Sequence, residues 1–154
     1  MSHPKMLSHL DWTPPYPCPT HTLLPMPEKI MGRDVMIVTD EDVRAKLYPT
    51  PNAFLWVVDI TEETRPIPIS TFIVPHDCES ETGNWFGAHQ PAEQVYSNIL
   101  YVTWFAGGLR AIDFSNPYSP KEVGFYIPMP GKGRKAVQRM TFITVRTVYF
   151  SSTG

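Results

Sequence analysis

Short apolar runs, separated by polar and proline-containing stretches, dominate the chain from residue 35 onward. The first half holds three of them, at Val35–Thr39, Phe54–Ile60 and Ile67–Val74. Each is short and rich in β-branched or aromatic residues, which favours buried strands. No segment repeats apolar residues at the i, i+3, i+4, i+7 spacing over three turns, as an amphipathic helix requires. The pattern therefore predicts an all-β fold.

The second half repeats this order of strands and turns. Gly107 and Gly108 predict a hairpin turn, and they do not indicate a phosphate-binding loop because no GxGxxG motif or helix accompanies them. A polar turn is predicted over Ser115–Pro120. The three strand-like runs lie at Ile99–Phe105, Leu109–Phe114 and Val123–Ile127.

An internal repeat relates the two halves. The segment Leu55–Pro75 aligns with the segment Leu109–Pro128. Two aspartates that end a strand are matched, as are two prolines in the turn that follows: Asp59 with Asp113, and Pro66 with Pro120. We predict a structural role here, with each aspartate accepting backbone N–H groups of its turn. Repeats of this kind are typical of β-propeller blades, which bury their faces against neighbouring blades.

The alignment extends upstream and pairs His21 with His89. The offset between the copies is larger there than at the aspartates, and we assign the difference to the loop from Asp40 to Ala53. Both histidines are predicted to precede the inner strand of a blade and to point toward the propeller axis. Neutral imidazole nitrogens at such a place bind transition metals. The alternative is that each imidazole hydrogen-bonds to a neighbouring blade.

The repeat resembles the LVIVD repeat of bacterial and archaeal proteins that are thought to form propellers. Its pattern is an apolar strand ending in Asp, a Ser/Thr-x-Pro turn, a second Pro and another apolar strand, and "LRAIDFSNPYSPKEVGFYIP" follows it almost throughout. The first copy departs from it by carrying Glu63 in place of the early proline. The resemblance covers roughly Thr20–Pro130. It implies a partial propeller of about two blades, because a closed ring typically needs 4–8 blades.

The family pattern implies no particular activity, and we predict a binding or scaffold module with no catalysis by this chain alone. The alternative is the remnant of a metal-dependent propeller enzyme similar to the selenium-binding proteins, which include methanethiol oxidases. In that alternative His21 and His89 are axial ligands of a transition metal, the only cofactor implied. Exposed outer faces and sheet edges favour self-association or contact with missing blades.

The sequence divides into five parts: a proline-rich lead-in at 1–19, a first blade at 20–75, a connecting loop at 76–88, a second blade at 89–130 and an atypical tail at 131–154. The tail has a basic cluster and no aspartate turn. One interpretation is a frameshifted start of a third blade, since the shifted codons are compatible with an apolar strand followed by an acidic or polar residue. The other is an ordinary strand or hairpin over Met140–Ser151.

Composition narrows the function classes. The chain of 154 residues is long enough for one domain, and its net charge of -2 gives no electrostatic case for nucleic acid or an anionic membrane. Its two cysteines, Cys18 and Cys78, are too few for a disulfide scaffold. No secretory h-region or membrane-length apolar run is present. The sequence predicts a cytoplasmic protein, or an extracellular or periplasmic one if the true start lies upstream.

Overall fold

The computed structural model describes residues 3–13, 16, 19–41, 53–75, 86–129 and 132–133. These residues form two antiparallel sheets and contain no α-helix, so the predicted all-β fold is confirmed. None of the described segments is a helix long and apolar enough to cross a membrane. The strands are β1 (Thr20–Pro25), β2 (Val35–Asp40), β3 (Leu55–Asp59), β4 (Ile67–Phe72), β5 (Ile99–Thr103), β6 (Leu109–Asp113) and β7 (Lys121–Tyr126).

The first sheet has four strands in the order β1-β2-β3-β4. Its central strands β2 and β3 are almost completely buried, as their continuous apolar sequences require. Pro68 lies in β4, which is an edge strand, so its missing N–H interrupts no central ladder. The first strand, β1, was not predicted from the apolar runs, because most of its side chains are exposed.

The second sheet has three named strands in the order β5-β6-β7. Residues 89–92 extend it on the free side of β5. The His89 amide donates to the Thr103 carbonyl at 3.0 Å, and the Ala92 amide donates to the Tyr101 carbonyl at 2.8 Å. This segment therefore occupies the place beside β5 that β1 occupies beside β2.

The two sheets have the same strand register. Val35 lies opposite Asp59 in the first sheet, and Ile99 lies opposite Asp113 in the second. The pairing of β3 with β4 and that of β6 with β7 are both irregular at the equivalent step, after Val57 in one sheet and after Ala111 in the other. The internal repeat is therefore present in the structure, down to the position of a β-bulge.

The repeat copies differ in length at two places rather than one. The prediction assigned the whole difference to the loop from Asp40 to Ala53. The register shows that the connection between β1 and β2, residues 26–34, is also longer than its counterpart at residues 93–98. The single-loop assignment was therefore wrong in part, because a hairpin connection can lengthen without disturbing the strands it joins.

Each sheet has two faces, which we name by residue number in its central strands. The odd face carries the odd-numbered residues of β2 and β3 or of β5 and β6, and the even face carries the others. Cross-strand partners share a face, so Phe72, opposite Leu55, and Ser70, opposite Val57, belong to the odd face of the first sheet.

The odd face of the first sheet packs against the second sheet. Phe72 makes an edge-to-face contact with Trp104, and the Ser70 hydroxyl donates to the Pro117 carbonyl at 2.6 Å. In the second sheet the even face is the buried one, and its Leu100, Val102 and Ile112 join the common hydrophobic core. The odd face of the first sheet therefore packs on the even face of the second, a contact that we call head-to-tail. This packing is consistent with two neighbouring blades of a partial propeller.

The even face of the first sheet is covered by the N-terminal lead-in. Trp12 stacks on Trp56 with ring centroids 4.6 Å apart. Tyr16 packs edge-on against both Phe54 and Trp56. The lead-in, predicted only as an extended segment, thus supplies an aromatic cover where a preceding sheet would pack.

Candidate metal centre

His21, Glu41 and His89 come together at one end of the two sheets. One ligand atom from each lies within 4.8 Å of the others. The imidazole rings of His21 and His89 have centroids 4.7 Å apart. The Glu41 carboxylate lies between them, with Oε2 3.6 Å from Nε2 of His21 and Oε1 3.5 Å from Nε2 of His89. The two histidines paired by the repeat are therefore neighbours in space.

A β-bulge directs His21 toward this cluster. Thr20 lies opposite Asp40 and Thr22 lies opposite Thr39, so His21 is the extra residue between two paired positions. An extra residue bends its strand and changes the direction of its side chain. His21 therefore lies within β1 and not ahead of it, which corrects the predicted position.

Glu41 is held at the end of β2. Its amide donates to the Pro19 carbonyl at 2.9 Å, which ties it to the start of β1. Its side chain is only 13% exposed. Sequence reasoning missed Glu41, because it lay in the loop from Asp40 to Ala53, of which residues 42–52 lie outside the described residues. One signal could have revealed it: Glu41 directly follows β2, and β2 pairs with β1, the strand that carries His21.

His89 is placed by the second sheet and enclosed by its neighbours. The His89 amide bonds to Thr103, as described above. The neighbouring Ala88 amide donates to the Ala53 carbonyl at 2.9 Å, which links this segment to the first sheet. Its ring packs against Phe105, with centroids 4.9 Å apart. The side chain of His89 is 8% exposed and that of His21 is 30% exposed, so the cluster opens to solvent on the His21 side.

The donor set fits a divalent first-row transition metal. Imidazole nitrogen and carboxylate oxygen bind Zn²⁺ at about 2.0–2.2 Å, so ligand atoms around a tetrahedral ion lie roughly 3.3–3.5 Å apart. Glu41 approaches the two histidines through different carboxylate oxygens, at 3.6 and 3.5 Å, which are close to that separation, and the full set of three ligand atoms lies within 4.8 Å. Three protein ligands would leave a coordination position for water or a small molecule.

The same geometry also permits an ion-paired bridge. Each carboxylate oxygen of Glu41 faces one imidazole Nε2, so protonated histidines would form two salt bridges across the junction between the sheets. The two interpretations require opposite protonation states, because a metal binds the neutral imidazole and a salt bridge needs the charged one.

Asp40 adjoins the cluster but is engaged elsewhere. It accepts a hydrogen bond from Nε1 of Trp56 at 2.8 Å, and its other oxygen lies 3.5 Å from the Thr20 hydroxyl. Burial raises the pKa of the Asp40 carboxyl to about 6, although these hydrogen bonds favour the ionised form. Its carboxylate therefore anchors Trp56 to the end of β2.

The paired aspartates each hold the turn that follows their strand. The Thr61 amide donates to Oδ1 of Asp59 at 3.0 Å, and the Ser115 amide donates to Oδ1 of Asp113 at 2.7 Å. Arg33 forms an ion pair with Asp59 at 2.5 Å. The two aspartates lie in different sheets. The two prolines paired by the repeat each come directly before the next strand, Pro66 before β4 and Pro120 before β7.

The glycine pair forms a compact turn between β5 and β6. Phe105–Gly107 is a short 3-10 helix, so the predicted strand ends before Phe105. Gly108 has a φ of 78°, and a Cβ there would lie 2.4 Å from the carbonyl oxygen of Tyr126. Both the backbone conformation and the close approach require glycine at this position.

No protein-family model, curated protein or solved structure matches this chain. Membership of the LVIVD repeat group therefore stays a prediction from the repeated residues. The predictions for Cys18, Cys78 and the tail beyond Gly133 lie outside the described residues.

Proposed function

We propose that this chain binds a divalent first-row transition metal through His21, Glu41 and His89, within a module of two LVIVD-like propeller repeats. The observation that carries the proposal is the convergence of three ligand atoms within 4.8 Å. They come from both sheets, and two of them belong to histidines at equivalent positions of the repeat. The bulge at His21 supports the proposal because it directs a side chain toward the junction at the cost of one regular strand position.

The chemistry of the donors selects the class of metal. Two imidazoles with one carboxylate suit Zn²⁺, Co²⁺, Ni²⁺ or Fe²⁺, whereas Mg²⁺ and Ca²⁺ prefer all-oxygen sites. The position left open by three ligands is reached from the exposed side of His21. The metal would also connect the two sheets, since His21 and Glu41 belong to the first and His89 to the second.

Metal titration of the full chain tests the proposal. We expect one Zn²⁺ or Co²⁺ per chain by calorimetry at neutral pH, and the Co²⁺ form should show the absorption bands of a low-coordinate site. The variants His21→Ala, Glu41→Gln and His89→Ala should each weaken binding at least about 10-fold. His3→Ala and His9→Ala are matched controls, because these histidines lie in the exposed lead-in.

Two results would contradict the metal proposal. One is unchanged binding in the His89→Ala protein, and the other is loss of binding in the His9→Ala control. If the cluster is an ion-paired bridge instead, the wild-type chain should bind no stoichiometric metal. Glu41→Gln should then lower the melting temperature of the metal-free protein, because it removes the charge that faces both imidazoles.

A second candidate function is a binding or scaffold module that needs no metal. The half-exposed odd face of the second sheet favours it, because residues equivalent to buried core positions of the first sheet lie there. A protein that binds no metal but associates through that face would support this function over the first.

A further inference from the structure

The odd face of the second sheet is open. Tyr101, Leu109 and Ala111 of this face are only half-buried, and Tyr126, opposite Leu109, is 60% exposed. None of them packs against the hydrophobic core. A Cβ placed on Gly124, at the centre of the face, would meet only the Cβ of Ala111, at 4.0 Å. This part of the sheet surface has no cover among the described residues.

The equivalent face of the first sheet is a packing surface. The repeat places Leu55 and Val57 where the second sheet has Leu109 and Ala111, and both are fully buried against the second sheet. In this fold, therefore, an odd face is covered by the even face of the next sheet. The open odd face has the shape and apolar character to accept another even face of the same repeat.

A second copy of the chain contains one even face that can be uncovered. The even face of its second sheet is buried inside the molecule. The even face of its first sheet, with Val38, Trp56 and Val58, is covered by the lead-in, chiefly by Trp12 and Tyr16. The described residues of this cover belong to no strand, so the cover is easier to displace than a sheet.

We propose that the odd face of the second sheet docks onto the even face of the first sheet of a second copy, and that Trp12 and Tyr16 limit this docking by occupying the even face. Trp56 would then lie against the shallow surface formed by Ala111 and Gly124. Docking repeats the head-to-tail contact already present inside the chain, so it can continue along a row of copies. It uses none of the three proposed metal ligands and stands independently of the metal proposal.

The mass of full-length variants in solution tests the proposal. In sedimentation velocity between 5 and 200 μM, roughly the range over which weak apolar contacts form, the wild-type chain should stay mainly monomeric. Trp12→Ala/Tyr16→Ala should form dimers and higher oligomers at least about 10-fold more readily. Adding Ala111→Arg should return the mass to that of the wild type, whereas Leu23→Arg, an equal charge on exposed β1, should not.

The proposal is overturned if the folded double variant stays monomeric, or if its oligomers persist with Ala111→Arg. If the double variant does not fold, Trp12→Ala alone removes the ring stacked on Trp56 and should show the same Ala111-dependent rise in mass; a constant mass of the folded Trp12→Ala protein overturns the proposal. The face itself is tested in the wild-type background. Ala111→Arg should leave the melting temperature nearly unchanged while Val57→Arg lowers it strongly, and equal losses would show that the face is already covered.

Discussion

Trp12 stacks on Trp56 with ring planes only 18° from parallel, so a residue of the proline-rich lead-in completes the packing of the first sheet. The contact joins the start of the chain to its most buried strand pair. Val38 and Val58, which share the even face with Trp56, have no exposed area. The lead-in is therefore part of the folded domain.

Replacing Trp12 by alanine should destabilise the domain. Loss of a half-buried indole and its stacking contact is expected to lower the free energy of unfolding by about 1–3 kcal/mol. Urea denaturation at low protein concentration, monitored by circular dichroism, measures this change. Met6→Ala removes a lead-in side chain that is 80% exposed and should have almost no effect. Equal effects of the two substitutions would contradict the proposed role of the stack.

Gly108→Ala should be among the most damaging single-methyl additions to the chain. The new Cβ would lie 2.4 Å from the Tyr126 carbonyl oxygen, in a residue whose φ is 78°. Gly32 is a matched control, because it has a φ of 79° but nothing within 4 Å of the added Cβ. We expect Gly32→Ala to cost about 1 kcal/mol from backbone strain alone and Gly108→Ala at least about 3 kcal/mol, measured by thermal unfolding. Similar costs would show that the close approach relaxes freely.

The two repeat-paired aspartates should differ in their contribution to stability. Asp59 is buried, bonds to the Thr61 amide and pairs with Arg33, whereas Asp113 is more exposed and bonds to Ser115. We expect Asp59→Ala to cost about 2 kcal/mol and Asp113→Ala about 1 kcal/mol in chemical denaturation. A larger loss at Asp113 would contradict this order.

Both aspartates should make the domain sensitive to acid. Burial opposes ionisation of Asp59, but hydrogen bonds from Thr61 and the Arg33 pair together lower its pKa. Hydrogen bonds from Ser115 lower the pKa of Asp113. A lowered folded-state pKa gives stability that is complete above the unfolded value of about 3.9 and is lost as the pH falls through the folded value. Asp59→Asn/Asp113→Asn should therefore show a shallower fall in melting temperature between about pH 5 and pH 2 than the wild type.

Zinc should stabilise the folded chain if the cluster binds it. At a free concentration about 100 times the dissociation constant, binding to the native state alone adds about 2.7 kcal/mol to the free energy of unfolding. The melting temperature should rise on addition of Zn²⁺ and return on addition of a chelator. A 10-fold weaker affinity, the smallest effect expected of His21→Ala, should reduce this gain to about half, and His9→Ala should preserve it. A rise of equal size in both variants would point to binding elsewhere.

The strands with continuous apolar sequence were predictable from the sequence. Val35–Thr39 and Phe54–Ile60 correspond to strands that are buried on both faces, so their continuous apolar composition marks them. Their repeat counterparts are buried mainly on the even face, and their apolar and β-branched residues still indicate strands. The strand β1 was missed because its side chains are mostly exposed and its ladder is interrupted at His21. Its formation depends on pairing with β2, which a local pattern does not encode.

The candidate site was predictable only in part. The repeat paired His21 with His89, and the structure brings their rings together. Glu41 has no equivalent carboxylate in the second copy, where the aligned residue is Phe105, so comparison of the copies could not reveal it. The aromatic cover from Trp12 and Tyr16 was missed for a similar reason, since it occurs once and lies outside the repeat.

The division of the cluster between the two sheets makes it a reporter of their alignment. His21 and Glu41 move with the first sheet and His89 moves with the second, so a slip of about 2 Å between the sheets would separate the donors beyond the reach of a single ion. Metal occupancy would then measure whether the two sheets pack in the correct relative position. A substitution in the contact between the sheets that touches no proposed ligand, such as one at Phe72, would be detected there as loss of metal before the strands themselves unfold.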